Sequence, residues 1–221
     1  QVNFNLEFPI VYTEDREYFK SALNILNREG FTFSKGIEVT VHGNIPINSG
    51  TSSSSALLIA WMNWLTRMAD NPKILSKSEL ARLSYTAEVL EFGEPGGMMD
   101  QYATSVGNVI YLESQPEIKV DIFQPNLGYF VLGDSQQPKD TLGILKHVKY
   151  GMLDAIKKIR AVNPDFDLAT FPQSDAYLYI DLLNDIEYTL FKGNLSDRDV
   201  LKEALVMLRT NQIDHKRFGQ L

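Results

Sequence analysis

The residues best suited to chemistry in this 221-residue sequence form a loop of small side chains at residues 45–55. The loop reads Ile-Pro-Ile-Asn-Ser-Gly-Thr-Ser-Ser-Ser-Ser and runs directly into an apolar stretch. Small residues let the backbone approach a ligand closely, and the N-terminus of a helix predicted after the loop favours anions. The hydroxyl groups of Ser52 to Ser55 add donors and candidate Mg²⁺ ligands. The pattern therefore favours phosphate binding without a Walker lysine, against a flexible linker or a helix cap with no ligand.

A second segment, residues 88–102, carries carboxylates close to a Gly/Pro turn. It reads Glu-Val-Leu-Glu-Phe-Gly-Glu-Pro-Gly-Gly-Met-Met-Asp-Gln-Tyr. Glutamate oxygens suit a hard cation, and an aspartate near a reacting hydroxyl suits proton transfer. Taken alone, Asp100 also fits a turn or capping residue, and Glu88 also fits a solvated helix face. Glu91 and Glu94 are interpreted as solvated.

Both segments resemble motifs of one family, the GHMP kinases (galactokinase, homoserine, mevalonate and phosphomevalonate kinases). The first is similar to that family's phosphate loop, roughly Pro-x-Gly-x-Gly-Leu-Ser/Gly-Ser-Ser-Ala. Asn48 stands where glycine is usual, Thr51 where leucine is usual and Ser55 where alanine is usual, whereas four residues match: Pro46, Gly50, Ser53 and Ser54. The second resembles a galactokinase stretch, with matches at Pro95, Gly97, Met99, Asp100 and Gln101.

The resemblance implies ATP and Mg²⁺ as cofactors and a sugar hydroxyl as the phosphoryl acceptor. Carried over residue by residue, the ATP phosphates would lie on Asn48, Ser49, Gly50, Thr51, Ser52, Ser53 and Ser54. Ser54 and Glu88 would hold Mg²⁺, Gly97 would lie against the sugar, and Asp100 would act as general base or orient the attacking hydroxyl. This division of labour suits phosphoryl transfer, which needs charge neutralisation and a carboxylate near the nucleophile.

These motifs need strands and helices to position them, and the periodicity predicts both. Alternating apolar and polar residues predict strands at residues 2–8, 37–41, 109–112, 118–123 and 128–133. Helical spacing predicts helices at residues 14–28, 56–65, 78–92, 141–161, 174–191 and 197–209, with Ser196 as N-cap of the last. The phosphate loop is thus expected between a strand and a buried helix.

The order of elements predicts an α+β protein, and the resemblance implies the two-domain GHMP kinase fold. We expect residues 1–125 to form the N-terminal domain, lacking its first strands. Residues 126–221 would form part of a ferredoxin-like C-terminal domain. The chain begins with Gln1 and ends in a predicted helix, so both ends look truncated. The 221-residue chain alone is expected to have little or no kinase activity.

Composition narrows the function classes. The net charge of −7 argues against binding to nucleic acid or an anionic membrane. The longest apolar run has seven residues, far fewer than the roughly 20 that span a bilayer. The absence of cysteine excludes disulfides and a thiolate metal site, and fits a reducing compartment such as the cytoplasm. A monomer and a homodimer both remain open.

Three alternatives to a galactokinase-like sugar kinase stay open. One is a galactokinase-like protein that binds sugar and ATP as a sensor without catalysis. Another is a GHMP kinase with another substrate, such as a heptose phosphate, fucose, homoserine or mevalonate. The third is a purely structural helical module that binds no nucleotide. Asp134 and Ser135 fit the end of a galactokinase strand, but no tyrosine follows before Tyr150 where a sugar-contacting tyrosine is expected.

Overall fold

The computed structural model describes residues 2–47, 49–133 and 141–221, with only the backbone of residues 141 and 142. The chain divides into two compact units. The first runs from the N-terminus to Ile122 and includes residues 132 and 133, and the second comprises Phe123–Val131 and the helical segment that ends at Leu221. The domain boundary after residue 125 stays a prediction.

The first unit contains four α-helices and a hairpin. In chain order they are α1 (Tyr18–Arg28), α2 (Ser53–Met68), α3 (Lys77–Tyr85), a π-helical turn (Thr86–Leu90), α4 (Met99–Val106), β1 (Val109–Glu113) and β2 (Lys119–Phe123). The two strands pair in a two-stranded sheet, and the five-residue connection between them permits only the antiparallel arrangement. Helices with a small sheet confirm the α+β class.

The core of the first unit forms around α1 and α2. Leu58, Met62 and Leu65 are at most 1% exposed on α2 and pack with Leu23 and Leu26 of α1. Burying each of these side chains contributes about 2 kcal/mol. The buried helix predicted after the serine loop is confirmed. It begins earlier than predicted, because its first turn includes Ser53, Ser54 and Ser55, and it ends later, at Met68.

The helix predicted at residues 78–92 is divided. Ser76 caps α3 by accepting a hydrogen bond from the backbone N–H of Glu79, whose side chain accepts from the N–H of Ser76. After Tyr85 the chain widens into the π-helical turn. Such turns often occur at functional sites, and this one contains Glu88.

Three predicted strands are absent from the described residues, those at 2–8, 37–41 and 128–133. The alternation that predicted the first is present in its burial. Phe4, Leu6 and Phe8 pack against the core while their neighbours are exposed. A strand also requires a hydrogen-bonding neighbour, which alternation does not provide. The strands at 109–112 and 118–123 are confirmed.

The second unit is helical in its described residues. It contains α5 (Thr141–Val162), a 3₁₀ helix (Gln173–Tyr179), α6 (Asp185–Thr210) and α7 (His215–Phe218). The prediction of two helices at 174–191 and 197–209 was wrong, because Asn184 and Glu187 form a capping box that starts one helix continuing past Ser196. Phe191 and Leu195 are fully buried against Ile159 of α5 and hold this helix in place.

Close packing of α5 on α6 explains one glycine. A Cβ atom built on Gly151 would lie 2.6 Å from Leu190 Cδ1 of α6. In the described part of the chain, no helix is both long and apolar enough to cross a membrane.

Candidate functional site

The serine loop is closed by its own side chains. The Ser49 hydroxyl donates to the Pro46 carbonyl at 2.8 Å and lies 2.7 Å from the Thr51 hydroxyl, which also donates to that carbonyl at 3.2 Å. Gly50 has φ 76°, a conformation that glycine adopts without strain. The side chains of Ser49 and Thr51 therefore shape the loop, while Asn48 lies outside the described residues.

The N-terminus of α2 keeps its donors available. Ser52 is the N-cap residue, with left-handed φ 54° and ψ 37°, and its side chain makes no capping hydrogen bond. The first bond to this cap joins the Ala56 N–H to the Ser52 carbonyl at 3.0 Å. Within the described residues, the N–H groups of Ser53, Ser54 and Ser55 have no backbone acceptor. Three donors at the positive end of a buried helix suit an anion.

Three buried polar side chains meet beside this helix end. Glu88 Oε2 accepts a hydrogen bond from the Ser55 hydroxyl at 2.8 Å and another from Gln101 Nε2 at 2.7 Å. Ser55, Gln101 and Glu88 are only 1%, 2% and 6% exposed. We call these three residues the carboxylate junction. It joins the first turn of α2, the π-helical turn and α4.

The junction brings the two sequence motifs together. Ser55 is the last residue of the serine loop, and Gln101 follows the predicted base, Asp100. Gln101 Nε2 lies 3.4 Å from Ser55 Oγ, so α4 meets the start of α2 through these side chains. The sequence analysis placed Ser54 beside Glu88 as a metal ligand, counted Ser55 only among the candidate hydroxyl donors and Mg²⁺ ligands, and gave Gln101 no role. In the described residues, Ser54 makes no side-chain hydrogen bond with Glu88.

Asp100 and Gly97 lie on the surface next to the junction. Asp100 is in the first turn of α4, and its side chain is exposed. Gly97 is also exposed, and a Cβ built on it would have no described atom within 4 Å. The space around both residues leaves room for a ligand. Their contact with a sugar stays a prediction, as does the role of Asp134 and Ser135, which lie outside the described residues.

The interpretation of Glu91 and Glu94 as solvated was wrong. Glu91, 11% exposed, accepts two hydrogen bonds from the Arg28 guanidinium at 2.6 and 2.7 Å and one from the Tyr12 hydroxyl at 2.6 Å. Glu94 accepts from Arg16 Nε at 2.5 Å. Both pairs fix the segment that follows Glu88 to residues 12–28. The partners lie 63 to 79 positions away in sequence, so local patterns gave no sign of them.

The ion pairs of Glu91 and Glu94, together with burial, change the pKa values of nearby groups. The hydrogen bonds from Arg28 lower the pKa of Glu91 below its ordinary value. Burial, followed by the hydrogen bond to Glu91, raises the pKa of Tyr12 to about 12. Burial and the nearby Glu94 charge raise the pKa of Tyr18 to about 12. Both phenols are neutral at pH 7, and the Tyr12 hydroxyl donates its hydrogen bond to Glu91.

One cavity of the first unit lies elsewhere. It measures about 120 Å³ and is lined by residues including Phe31, Asn71 and Arg82. None of its lining residues belongs to the predicted site.

Comparison with known proteins finds sequence similarity in the part of the chain that holds the candidate site. The sequence model described as GHMP kinases N terminal domain matches residues 17–108. The galactokinase of Clostridium perfringens is 32% identical over 109 residues, covering 48% of this chain and 27% of that protein. The galactokinase of Limosilactobacillus reuteri is 33% identical over 99 residues (43% and 25%). The galactokinase of Thermococcus kodakarensis is 33% identical over 117 residues (52% and 33%).

The chain spans between a quarter and a third of the length of these curated relatives. The matched region contains α1 to α4, the serine loop and the carboxylate junction. Both motifs that resemble GHMP kinases also fall inside it. Residues 17–108 therefore match the N-terminal domain of the GHMP kinases in sequence.

Proposed function

We propose that this chain provides the phosphate loop, the metal-binding carboxylate and the base of a galactokinase-like sugar kinase. The reaction would transfer the γ-phosphoryl group of ATP to a sugar hydroxyl, the 1-hydroxyl in galactokinases. One observation carries the proposal. The carboxylate junction joins the helix after the serine loop to the helix that carries Asp100.

The N-terminus of α2 fits the ATP phosphates. Its first-turn N–H groups have no acceptor in the described backbone, and the left-handed Ser52 makes no capping bond that would occupy them. The backbone N–H groups of Ser53 and Ser54 would bind phosphate oxygens, assisted by the helix dipole. The loop from Ser49 to Thr51 is already closed by internal hydrogen bonds, so little ordering is required when a nucleotide binds.

The oxygen chemistry here also fits Mg²⁺. The Ser54 hydroxyl and the Glu88 carboxylate would hold the ion together with phosphate oxygens, since Mg²⁺ prefers one or two protein oxygens and the phosphates. When bound, Mg²⁺ neutralises charge on the phosphates. No Lys or Arg of the described residues pairs with Glu88, which leaves its negative charge available.

Asp100 and Gly97 would meet the sugar. An exposed carboxylate in the first turn of α4 can accept the proton of the attacking hydroxyl or orient it. Gly97 offers a backbone without a side chain, so a sugar ring can approach closely. The small-molecule sugar, the cytoplasmic location and the monomer or homodimer state remain parts of this proposal.

The test is a coupled assay of ADP formation by the natural full-length protein across a panel of sugars. We expect sugar-dependent turnover with Mg²⁺, and a loss of at least 100-fold in kcat for Asp100→Asn. Asp185→Asn serves as the matched control because Asp185 is also exposed in the first turn of a helix. Full activity of Asp100→Asn would refute the base assignment. ATP binding without turnover for any sugar would favour a sensor.

A further inference from the structure

Glu88 differs from the two other glutamates of its segment. Glu91 pairs with Arg28, and Glu94 pairs with Arg16. Glu88 is the most buried of the three, yet among the described residues it has only neutral donors, Ser55 and Gln101. Arg16, which bonds Glu94, interacts with Glu88 only through its charge, and burying a carboxylate without a directly paired cation is costly. The junction therefore has the chemistry of a site that is completed by a positive charge.

We propose that Ser55 and Gln101 are positioning residues that hold the Glu88 carboxylate in the orientation needed to bind a divalent cation. This rests on the proposed function, in which Glu88 is a metal ligand. Metal ligands are commonly oriented by hydrogen bonds from groups that do not touch the ion, and losing such a group typically weakens metal binding about 10- to 100-fold.

The geometry supports this role through one oxygen. Both donors bond to Glu88 Oε2, at 2.8 and 2.7 Å, and neither of these bonds uses Oε1. Two donors from different helices fix the plane of the carboxylate more firmly than one would. Because both donors are neutral, they orient the carboxylate and leave its charge in place. An arginine in their position would cancel that charge.

Gln101 supplies independent evidence. Its Oε1 atom is buried and has no hydrogen-bond donor among the described residues. Turning the amide over would give Oε1 no better place, because the oxygen would then face the Glu88 carboxylate, which only accepts. An unsatisfied buried amide oxygen reduces stability. Its side chain is therefore better explained by the donor it gives to Glu88 than by its contribution to folding.

Ser55 is a departure from the motif pattern of the resembled family. It stands where the phosphate loop of the resembled family usually has alanine, which has no hydroxyl. Its side chain is 1% exposed, and its hydroxyl donates to Glu88. One of the two donors on the carboxylate thus depends on a departure from the family pattern.

The test measures metal affinity directly. Mn²⁺ is titrated into the natural full-length protein with a non-hydrolysable ATP analogue, and free Mn²⁺ is followed by electron paramagnetic resonance. We expect Ser55→Ala and Gln101→Met each to raise the Mn²⁺ dissociation constant about 10-fold or more. Affinity for the analogue without metal should be unchanged. Ser84→Ala is the matched control, because Ser84 is fully buried and, among the described residues, its hydroxyl donates a hydrogen bond only to Met62 Sδ.

Melting curves separate positioning from a structural role. Gln101→Met removes one hydrogen bond and one unsatisfied oxygen together, so its melting temperature should stay near that of the unaltered protein while Mn²⁺ affinity falls. Lower melting temperatures with unchanged Mn²⁺ affinity in both variants would overturn the proposal and leave the proposed function intact. Absence of metal–nucleotide binding in the unaltered protein would instead refute the proposed function, and this inference with it.

Discussion

Replacing Glu91 by glutamine should destabilise the first unit measurably. Glu91 is 11% exposed and accepts three hydrogen bonds, two from Arg28 and one from Tyr12. Glutamine has one acceptor oxygen, so at least one donor loses its partner and the ionic attraction is lost. A hydrogen bond to a charged group contributes about 1.5–3 kcal/mol, but Arg28 is 55% exposed and water screens its share. The expected loss in unfolding free energy is about 2 kcal/mol.

This loss converts into a shift of melting temperature. Unfolding entropy is about 2.1 cal/mol/K per residue, so a unit of roughly 120 residues that unfolds cooperatively should melt about 8 °C lower. Calorimetry at pH 7 measures the shift. Glu203→Gln is the control, because Glu203 also bonds one arginine through two nitrogens, those of Arg217, but is 42% exposed. We expect little change for that variant. A melting temperature for Glu91→Gln within about 1 °C of the unaltered protein would refute the reasoning.

Two further predictions concern acid stability and a helix cap. Arg28 lowers the pKa of Glu91, and Lys158 lowers the pKa of Glu187, so the stability they contribute is complete above the unfolded value of about 4.3 and is lost as pH falls through the lower folded values. The melting temperature, measured from pH 7 to pH 3, should therefore fall most steeply below about pH 4. The fall should be smaller in Glu91→Gln. A pH profile in that variant equal to that of the unaltered protein would show that Glu91 does not cause the acid sensitivity. Asn184→Ala removes the Oδ1 atom that accepts a hydrogen bond from the Glu187 N–H at 2.9 Å and so caps α6. It should reduce the free energy of unfolding by about 1 kcal/mol, measured by urea unfolding beside Asn211→Ala at the other end of the helix. A loss below about 0.3 kcal/mol would show that packing alone fixes the start of α6.

Local signals predicted the parts of the fold that depend on local physics. The apolar run after the serine loop became α2, and the spacing from residue 141 became α5. Residues 2–8 show why the strands were harder to predict. Alternating burial is present there, but a strand also needs a partner that the pattern does not identify. The split at Ser196 failed because buried Leu195 and the cap at Asn184 favour one continuous helix.

In the candidate site too, the sequence predicted the local segments but not the contacts between them. Motif spacing singled out Glu88, Asp100 and the serine loop, and the structure joins their segments through Ser55 and Gln101. Motif spacing could not indicate which serine bonds Glu88, because side chains of adjacent residues on a helix point in directions about 100° apart. Nor could it pair Glu91 with Arg28, which lies 63 positions away. Such pairings are set by how the helices pack.

The central claim is that the N-terminus of α2 and the Glu88 carboxylate together bind the nucleotide phosphates and their metal ion. A crystal structure of the full-length protein with Mn²⁺ and a non-hydrolysable ATP analogue tests it most directly, because anomalous scattering locates Mn²⁺. We predict a Mn²⁺ peak about 2.0–2.3 Å from oxygens of Ser54 and Glu88, with phosphate oxygens on the N–H groups of Ser53 and Ser54. Ordered phosphates and Mn²⁺ bound away from the end of α2 would contradict the claim.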